Sequence, residues 1–167
     1  LGFSYQVPVA EITYWDAEHM ELDVDSKSGF ETGMYSAWFP VPMENGNFNY
    51  SIKIITPDKF KVLGNGNIQR KSDNNWTITS TNRQFDIPLL VSERVTTKLV
   101  ESKAGLVELN HFGLTKDRVD ELASDVSEII ALYESKFGTV ASSGKYQFVF
   151  VPRNNNPSYS RSGFAVI

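Results

Sequence analysis

The hydrophobic residues of this chain change their period once, near residue 104, and that change limits the folds open to the chain. Before it, Tyr50, Ile52 and Ile54 alternate with polar residues. Every second residue of a β-strand points to the same face, so this pattern predicts strands with one buried side. Beyond it, a helical period lies between two strand-like runs. We expect a mixed β and α/β fold, with a β-rich domain over 1–103 and an α/β part over 104–167.

Short predicted strands and turn sequences fill the β-rich domain. Residues 19–25 alternate cleanly, with Met20 among the apolar positions. Asn65-Gly66 is the strongest short-range signal for a β-hairpin. A polar turn over 72–75 then leads into a strand that begins near Trp76, and a β-branched run covers 95–100. Strands of this length and spacing predict an antiparallel β-sandwich.

One helix is predicted over 116–137. Thr115 or Asp117 can cap its start by accepting hydrogen bonds from unpaired N–H groups, and Gly138 suits its end. Its apolar residues recur at spacings of three and four, which predicts a single buried stripe. That stripe consists of Val119, Leu122, Ala123, Val126, Ile130, Tyr133 and Phe137.

The helix is followed by two more predicted strands. The run 146–151 is apolar on both faces after Gln147, which is typical of a strand covered on both sides. A polar loop over 154–157 then leads to a final apolar segment over 162–167. Because natural termini are usually polar, we expect the natural protein to continue past this segment.

Composition excludes several classes of function. The formal net charge of −4 and the absence of a basic run argue against nucleic-acid binding. Without cysteine the chain cannot form disulfides or zinc–thiolate sites. His19 and His111 are its two histidines, and His19 shares the polar side of a predicted strand with Glu21. We therefore predict no catalytic residue and no metal ligand within the chain.

Two glycine-containing functional motifs are not found in the sequence. The segment Gly64-Asn65-Gly66 begins like a dinucleotide-binding fingerprint, but Gln69 occupies the third glycine position and no βαβ unit is predicted there. A hairpin turn is the preferred interpretation. The Gly-x-Ser-x-Gly turn that holds a hydrolase nucleophile is missing from the sequence.

Several segments resemble the M1 family of zinc aminopeptidases, which belong to the gluzincin metallopeptidases. The resemblance rests on Trp38-Phe39-Pro40, on the strand 50–57 running on to Gly66, and on the helix end Tyr133-Glu134-Ser135-Lys136-Phe137-Gly138 followed by Phe150-Val151-Pro152. It implies an amino-terminal β-sandwich domain and the beginning of a truncated thermolysin-like catalytic domain. The His-Glu-x-x-His motif, which supplies two zinc ligands and a general base, would follow beyond residue 167.

The resemblance also implies where a substrate binds. The final segment would form one edge of the substrate cleft and hold an extended peptide through its backbone. The corresponding substrate-binding residues are Tyr159, Arg161, Ser162, Gly163 and Phe164. Arg161-Ser162-Gly163-Phe164-Ala165 stands where the family has Gly-x-Met-Glu-Asn, and it lacks the glutamate that holds the substrate's free amine. This departure leaves open an endopeptidase or an inactive relative.

The resemblance also implies the partners and the cofactor of this protein. The chain would be an inactive scaffold and cleft portion of a peptidase, with the remainder of its own polypeptide and a peptide substrate as partners. We expect no cofactor in this stretch and zinc in the full-length protein, whose setting would be bacterial and extracytoplasmic or membrane-anchored. Exposed strand edges invite self-association. The alternative is a non-catalytic β-sandwich module that binds a peptide, a glycan or a neighbouring domain.

Overall fold

The computed structural model describes residues 29–33, 38–40, 46–102, 105–138, 145–151 and 158–167. The predicted strand over 19–25 and the loop over 154–157 lie outside these residues. The strands are β1 (Gly29–Thr32), β2 (Ser51–Ile55), β3 (Lys61–Gly64), β4 (Asn67–Ser72), β5 (Asn75–Thr79), β6 (Leu89–Ser92), β7 (Thr96–Ser102), β8 (Gly105–His111), β9 (Lys145–Phe150), β10 (Tyr159–Arg161) and β11 (Phe164–Val166). The helix α1 spans Lys116–Phe137.

The described residues form three sheets and one helix, so the chain is mostly β with an α/β portion, as the sequence predicts. They divide into two compact units, the first ending at Glu93 and the second beginning at Arg94. The sequence places the change after residue 103 instead. The difference arises because β7 pairs with β8 along its whole length, so β7 belongs to the sheet of the second unit.

The first unit contains two antiparallel three-stranded sheets, ordered β1-β6-β3 and β2-β5-β4. Val62, Leu89 and Val91 of one sheet form a buried cluster with Ile78 of the other. Partly buried side chains pack around it: Phe30, Trp38, Tyr50, Ile54, Phe60, Ile68 and Trp76. The alternation at Ile52 and Ile54 is confirmed, since both are less exposed than the residues beside them.

The predicted hairpin at Asn65-Gly66 is wrong. β3 pairs with β6 and β4 pairs with β5, so this turn carries the chain from one sheet to the other. A Cβ atom on Gly66 would lie 2.6 Å from the carbonyl oxygen of Thr79. The glycine therefore allows two backbones to meet, and the real hairpin is β4–β5, at the polar turn predicted over 72–75.

The second unit has a mixed five-stranded sheet ordered β10-β11-β9-β8-β7. β8, β9 and β11 run parallel, while β7 and β10 run antiparallel to their neighbours. The helix α1 connects β8 to β9 and packs on one face of the sheet. Val107 and Leu109 contact Ala123 and Val126 there, and Phe148 packs against the same cluster.

The bounds of α1 match the prediction, and both predicted caps are present. The Thr115 hydroxyl accepts a hydrogen bond from the Arg118 N–H at 3.4 Å, and Gly138 has a φ of 80° at the other end. The expected stripe is buried only at Val119, Ala123 and Val126. Tyr133 and Phe137 are exposed at 59% and 79%, which corrects the prediction.

A difference in length explains why the stripe is not buried throughout. The 22 residues of α1 extend about 33 Å, while the seven residues of β8 extend about 23 Å. The last turns of the helix therefore run past the end of the strands on which its first turns pack. The period of the apolar residues shows which side of the helix faces the sheet. It does not show how far the sheet extends along the helix.

Candidate functional site

The face of the five-stranded sheet opposite α1, which we call the distal face, brings together most of the predicted site residues. Side chains alternate along a strand, so residues that alternate with Phe148 and Leu109 point away from the helix. The buried members of the distal face are Asn110, Gln147, Val149, Phe164 and Val166.

Tyr159 and Arg161 lie at the rim of this face. They belong to β10, where Tyr159 pairs with Val166 and Arg161 pairs with Phe164. Paired residues of neighbouring strands share a face, so both side chains stand beside the buried Phe164. The sequence predicts no strand between the loop over 154–157 and the final segment over 162–167, whereas Tyr159–Arg161 form a strand of their own.

Ser162 and Gly163 form the turn between β10 and β11 and do not contribute side chains to the distal face. Gly163 has a φ of 74°, a left-handed conformation that glycine adopts without steric cost. Its carbonyl oxygen accepts a hydrogen bond from the Gln147 N–H at 2.8 Å. The turn is thus fixed to β9, and it positions the β10 edge.

The expectation that the final segment lies at the sheet edge is wrong for β11. Phe164–Val166 lies between β9 and β10, so its backbone is paired on both sides. The N–H of Ile167 also donates to the Val149 carbonyl oxygen at 2.8 Å. Among the described strands, the outermost on this side is β10, which is three residues long. Strand order depends on pairing between distant segments, which the local sequence pattern does not contain.

The β10 edge presents an aromatic ring and a guanidinium group together. The Arg161 Cζ lies 5.1 Å from the centroid of the Tyr159 ring, a cation–π distance. The Tyr159 ring is 6.5 Å from that of Phe164. Tyr159 and Arg161 are half-buried, and the buried Phe164 lies beside them on the same face.

Two buried amides on the distal face were not among the predicted site residues. Asn110 is fully buried and Gln147 is 4% exposed. The Thr97 hydroxyl donates to Asn110 Oδ1 at 2.7 Å. Gln147 interrupts an otherwise apolar run over 146–151, and that interruption is a sequence signal for a buried polar position. Asn110 gave no comparable signal.

Ion pairs surround the sheet without forming a catalytic group. Lys145 Nζ lies 2.8 Å from Glu108 Oε1 on the distal face. On the helix side, hydrogen bonds from Lys116 and Lys98 lower the pKa of Asp120 to about 2. The hydrogen bond with Asp120 in turn raises the pKa of Lys116. Opposite charges within hydrogen-bond distance favour the ionised forms of Asp120 and Lys116, so both groups stay charged near neutral pH.

His111 ends β8 and is buried at 7% exposure. Its Nδ1 accepts a hydrogen bond from the Leu114 N–H at 3.2 Å, which places the ring proton of the neutral form on Nε2. Burial lowers the pKa of His111, which keeps the ring neutral near pH 7. The histidine thus helps to close the turn between β8 and α1.

The first unit contains its own buried polar cluster. Asn65 Nδ2 donates to Gln84 Oε1 at 3.0 Å, and the Tyr50 hydroxyl donates to the Asn65 carbonyl oxygen. Burial, with a further contribution from the charge of Asp86, raises the pKa of Tyr50. These groups surround the crossing between the two sheets, which indicates a structural function.

Within the described part of the chain, no three histidine, cysteine, aspartate or glutamate side chains lie close enough to hold a metal ion together. The same residues include no helix with the length and hydropathy needed to cross a membrane. No known protein-family profile matches the chain, and a search of curated proteins found no significant match either. Function must therefore be argued from the site.

Proposed function

We propose that this chain is the scaffold and one substrate-binding wall of a zinc-dependent M1-like metallopeptidase, inactive by itself. The carrying observation is β10, the outermost described strand on its side of the sheet, on which Tyr159 and Arg161 stand together. An extended peptide can add to such an edge through its main chain, and neighbouring side chains then select its residues. The zinc ligands and the general base would come from the rest of the polypeptide.

The architecture of the two units supports this proposal. Two three-stranded sheets that share one buried cluster are compatible with an amino-terminal β-sandwich. The order β8, α1, β9 is compatible with the start of a thermolysin-like α/β domain. The catalytic activity, the aminopeptidase-like specificity and the zinc are all parts of the proposal.

Peptide binding to the β10 edge can be followed by NMR. Titration with an unstructured peptide should shift the backbone amides of Tyr159–Arg161, and Arg161→Ala should weaken binding by roughly 2–5-fold, as expected for one exposed ionic contact. Leu99→Ala, on the exposed part of the opposite edge strand β7, is the matched control and should leave binding unchanged. Shifts confined to β7, or no shifts at either edge, would contradict the assignment of this edge.

The second candidate is a non-catalytic β-sandwich module that binds a peptide, a glycan or a neighbouring domain. It is favoured by Trp76, which is only partly buried and carries the Arg70 guanidinium 5.2 Å from its ring centroid. Aromatic surfaces of this kind bind sugars and peptides. If ligand-induced shifts appear around Trp76 and not at β10, this second function is the better one.

A further inference from the structure

Asn110 and Gln147 each carry a buried polar atom that lacks a hydrogen-bond partner among the described residues. These atoms are Asn110 Nδ2, a donor, and Gln147 Oε1, an acceptor. Burying such a group without a partner is costly, and native proteins almost always satisfy it with protein or with ordered water. The two atoms therefore require a partner that accepts from one of them and donates to the other.

The strand register places the two carboxamides near each other. In the parallel pair of β8 and β9, Asn110 lies opposite Val149 and Gln147 lies opposite Glu108. Asn110 and Gln147 are thus diagonal neighbours on the distal face. Neighbouring strands lie about 4.8 Å apart and residues two positions apart along a strand about 6.6 Å, so the two backbone positions are about 8 Å apart and one molecule can bridge the side chains. One small molecule between the carboxamides can satisfy both.

We infer that the distal face binds one internal water molecule between Asn110 and Gln147. The water accepts from Asn110 Nδ2 and donates to Gln147 Oε1, linking β8 to β9 through their side chains. If the Asn110 carboxamide is turned over, Thr97 can accept from Nδ2 and Oδ1 faces the water, which then donates to both amides. Water fits either arrangement, since it has two donors and two acceptors. This inference is independent of the proposed peptidase function.

A high-resolution crystal structure of the unmodified protein tests the inference directly. We expect one ordered water within about 3 Å of both Asn110 and Gln147 polar atoms. In solution, the Asn110 side-chain N–H protons should show a cross-peak to a long-lived water. A direct hydrogen bond between the two amides, or a protein side chain at the bridging position, would overturn the inference.

Leucine and methionine variants provide a thermodynamic test. With the water present, Gln147→Met leaves Asn110 unsatisfied and should lower the melting temperature by about 4 °C. Asn110→Leu should lower it similarly, and the double variant should lose less than the sum, because neither carboxamide is then left without the shared water. Without a shared water, Gln147→Met removes an unsatisfied acceptor and should leave the melting temperature unchanged or higher.

A control pair of variants distinguishes a shared water from independent effects on the melting temperature. Thr56→Val removes a hydroxyl that accepts from Trp76 Nε1 at 3.3 Å in the first unit. Combined with Gln147→Met, it should give additive shifts in melting temperature, since the two residues share no partner. Additive shifts for Asn110→Leu with Gln147→Met as well would count against a common water.

Discussion

Gly66 shows at the residue scale how one position sets a strand connection. Its φ of 141° and the 2.6 Å separation between its would-be Cβ and the Thr79 carbonyl oxygen both require glycine. The Asn-Gly pair does mark a turn, as the sequence indicates. Its neighbours nevertheless pair in different sheets, and the pair's conformational preference does not specify which strands pair.

Gly66→Ala should destabilise the first unit by about 2 kcal/mol or more, because the new methyl group meets backbone and the φ is strained. Urea denaturation measures the change in the free energy of unfolding. Gly113→Ala is the control, since Gly113 also has a positive φ, 79°, but nothing lies within 4 Å of its would-be Cβ. The control should cost about 1 kcal/mol, from backbone strain alone. Equal losses in the two variants would argue against the close contact.

The low pKa of Asp120 should make the stability of the folded protein depend on pH in acid. Its pKa in the folded protein is about 2, lowered by Lys116 and then Lys98, whereas an unperturbed aspartate titrates near 3.8. The folded state therefore binds this proton less tightly than the unfolded state. The ion pairs stabilise the fold above about pH 4, and that contribution is lost as the pH falls through about 2.

Thermal unfolding of wild type and Asp120→Asn between about pH 7 and about pH 2.5 checks this response. We expect the wild type to melt at the higher temperature at neutral pH, with a difference that shrinks toward the acid end. Because Asp120 and its partners are partly exposed, added salt should reduce the difference as well. A difference that stays constant down to the lowest pH would show that charge is not its cause.

At the scale of elements, the features set by local sequence were predicted best, and the pairing between distant strands was predicted worst. The bounds of α1 follow from Thr115, Gly138 and the period between them, all of which are local. The interior position of β11 depends on where β10 folds back, and the distal face arises only when β8, β9 and β11 align. The sequence therefore identified Tyr159, Arg161 and Phe164 but not their arrangement, and it missed Asn110 entirely.

Two truncations of α1 separate the packed part of the helix from the overhanging part. Ile130→Ala removes a partly buried side chain that packs against the helix–sheet cluster and should cost about 2 kcal/mol, the low end for such changes. Phe137→Ala removes a side chain that is 79% exposed and should change the free energy of unfolding by less than about 0.5 kcal/mol. Chemical denaturation compares the two, and a larger loss for Phe137→Ala would mean that the overhang is covered in solution.

At the scale of the whole molecule, the described residues form a β-rich unit and a mixed α/β unit. The change of hydrophobic period near residue 104 lies within the second unit, because β7 pairs with β8. What the two units do together is a matter of proposal, because the candidate site consists of a strand edge carrying Tyr159 and Arg161, and no metal-holding group is found among the described residues. In the proposed peptidase, the metal ligands would come from other residues of the polypeptide.

Zinc content and peptide hydrolysis, measured on the gene product extended past Ile167, test the peptidase account most directly. We expect a His-Glu-x-x-His motif within several tens of residues, one bound zinc per extended chain, and hydrolysis that is lost when the motif's glutamate is changed to glutamine. Residues 1–167 alone should bind no stoichiometric zinc and cleave no peptide. An extended product without the motif, or tight zinc binding by residues 1–167, would contradict the account.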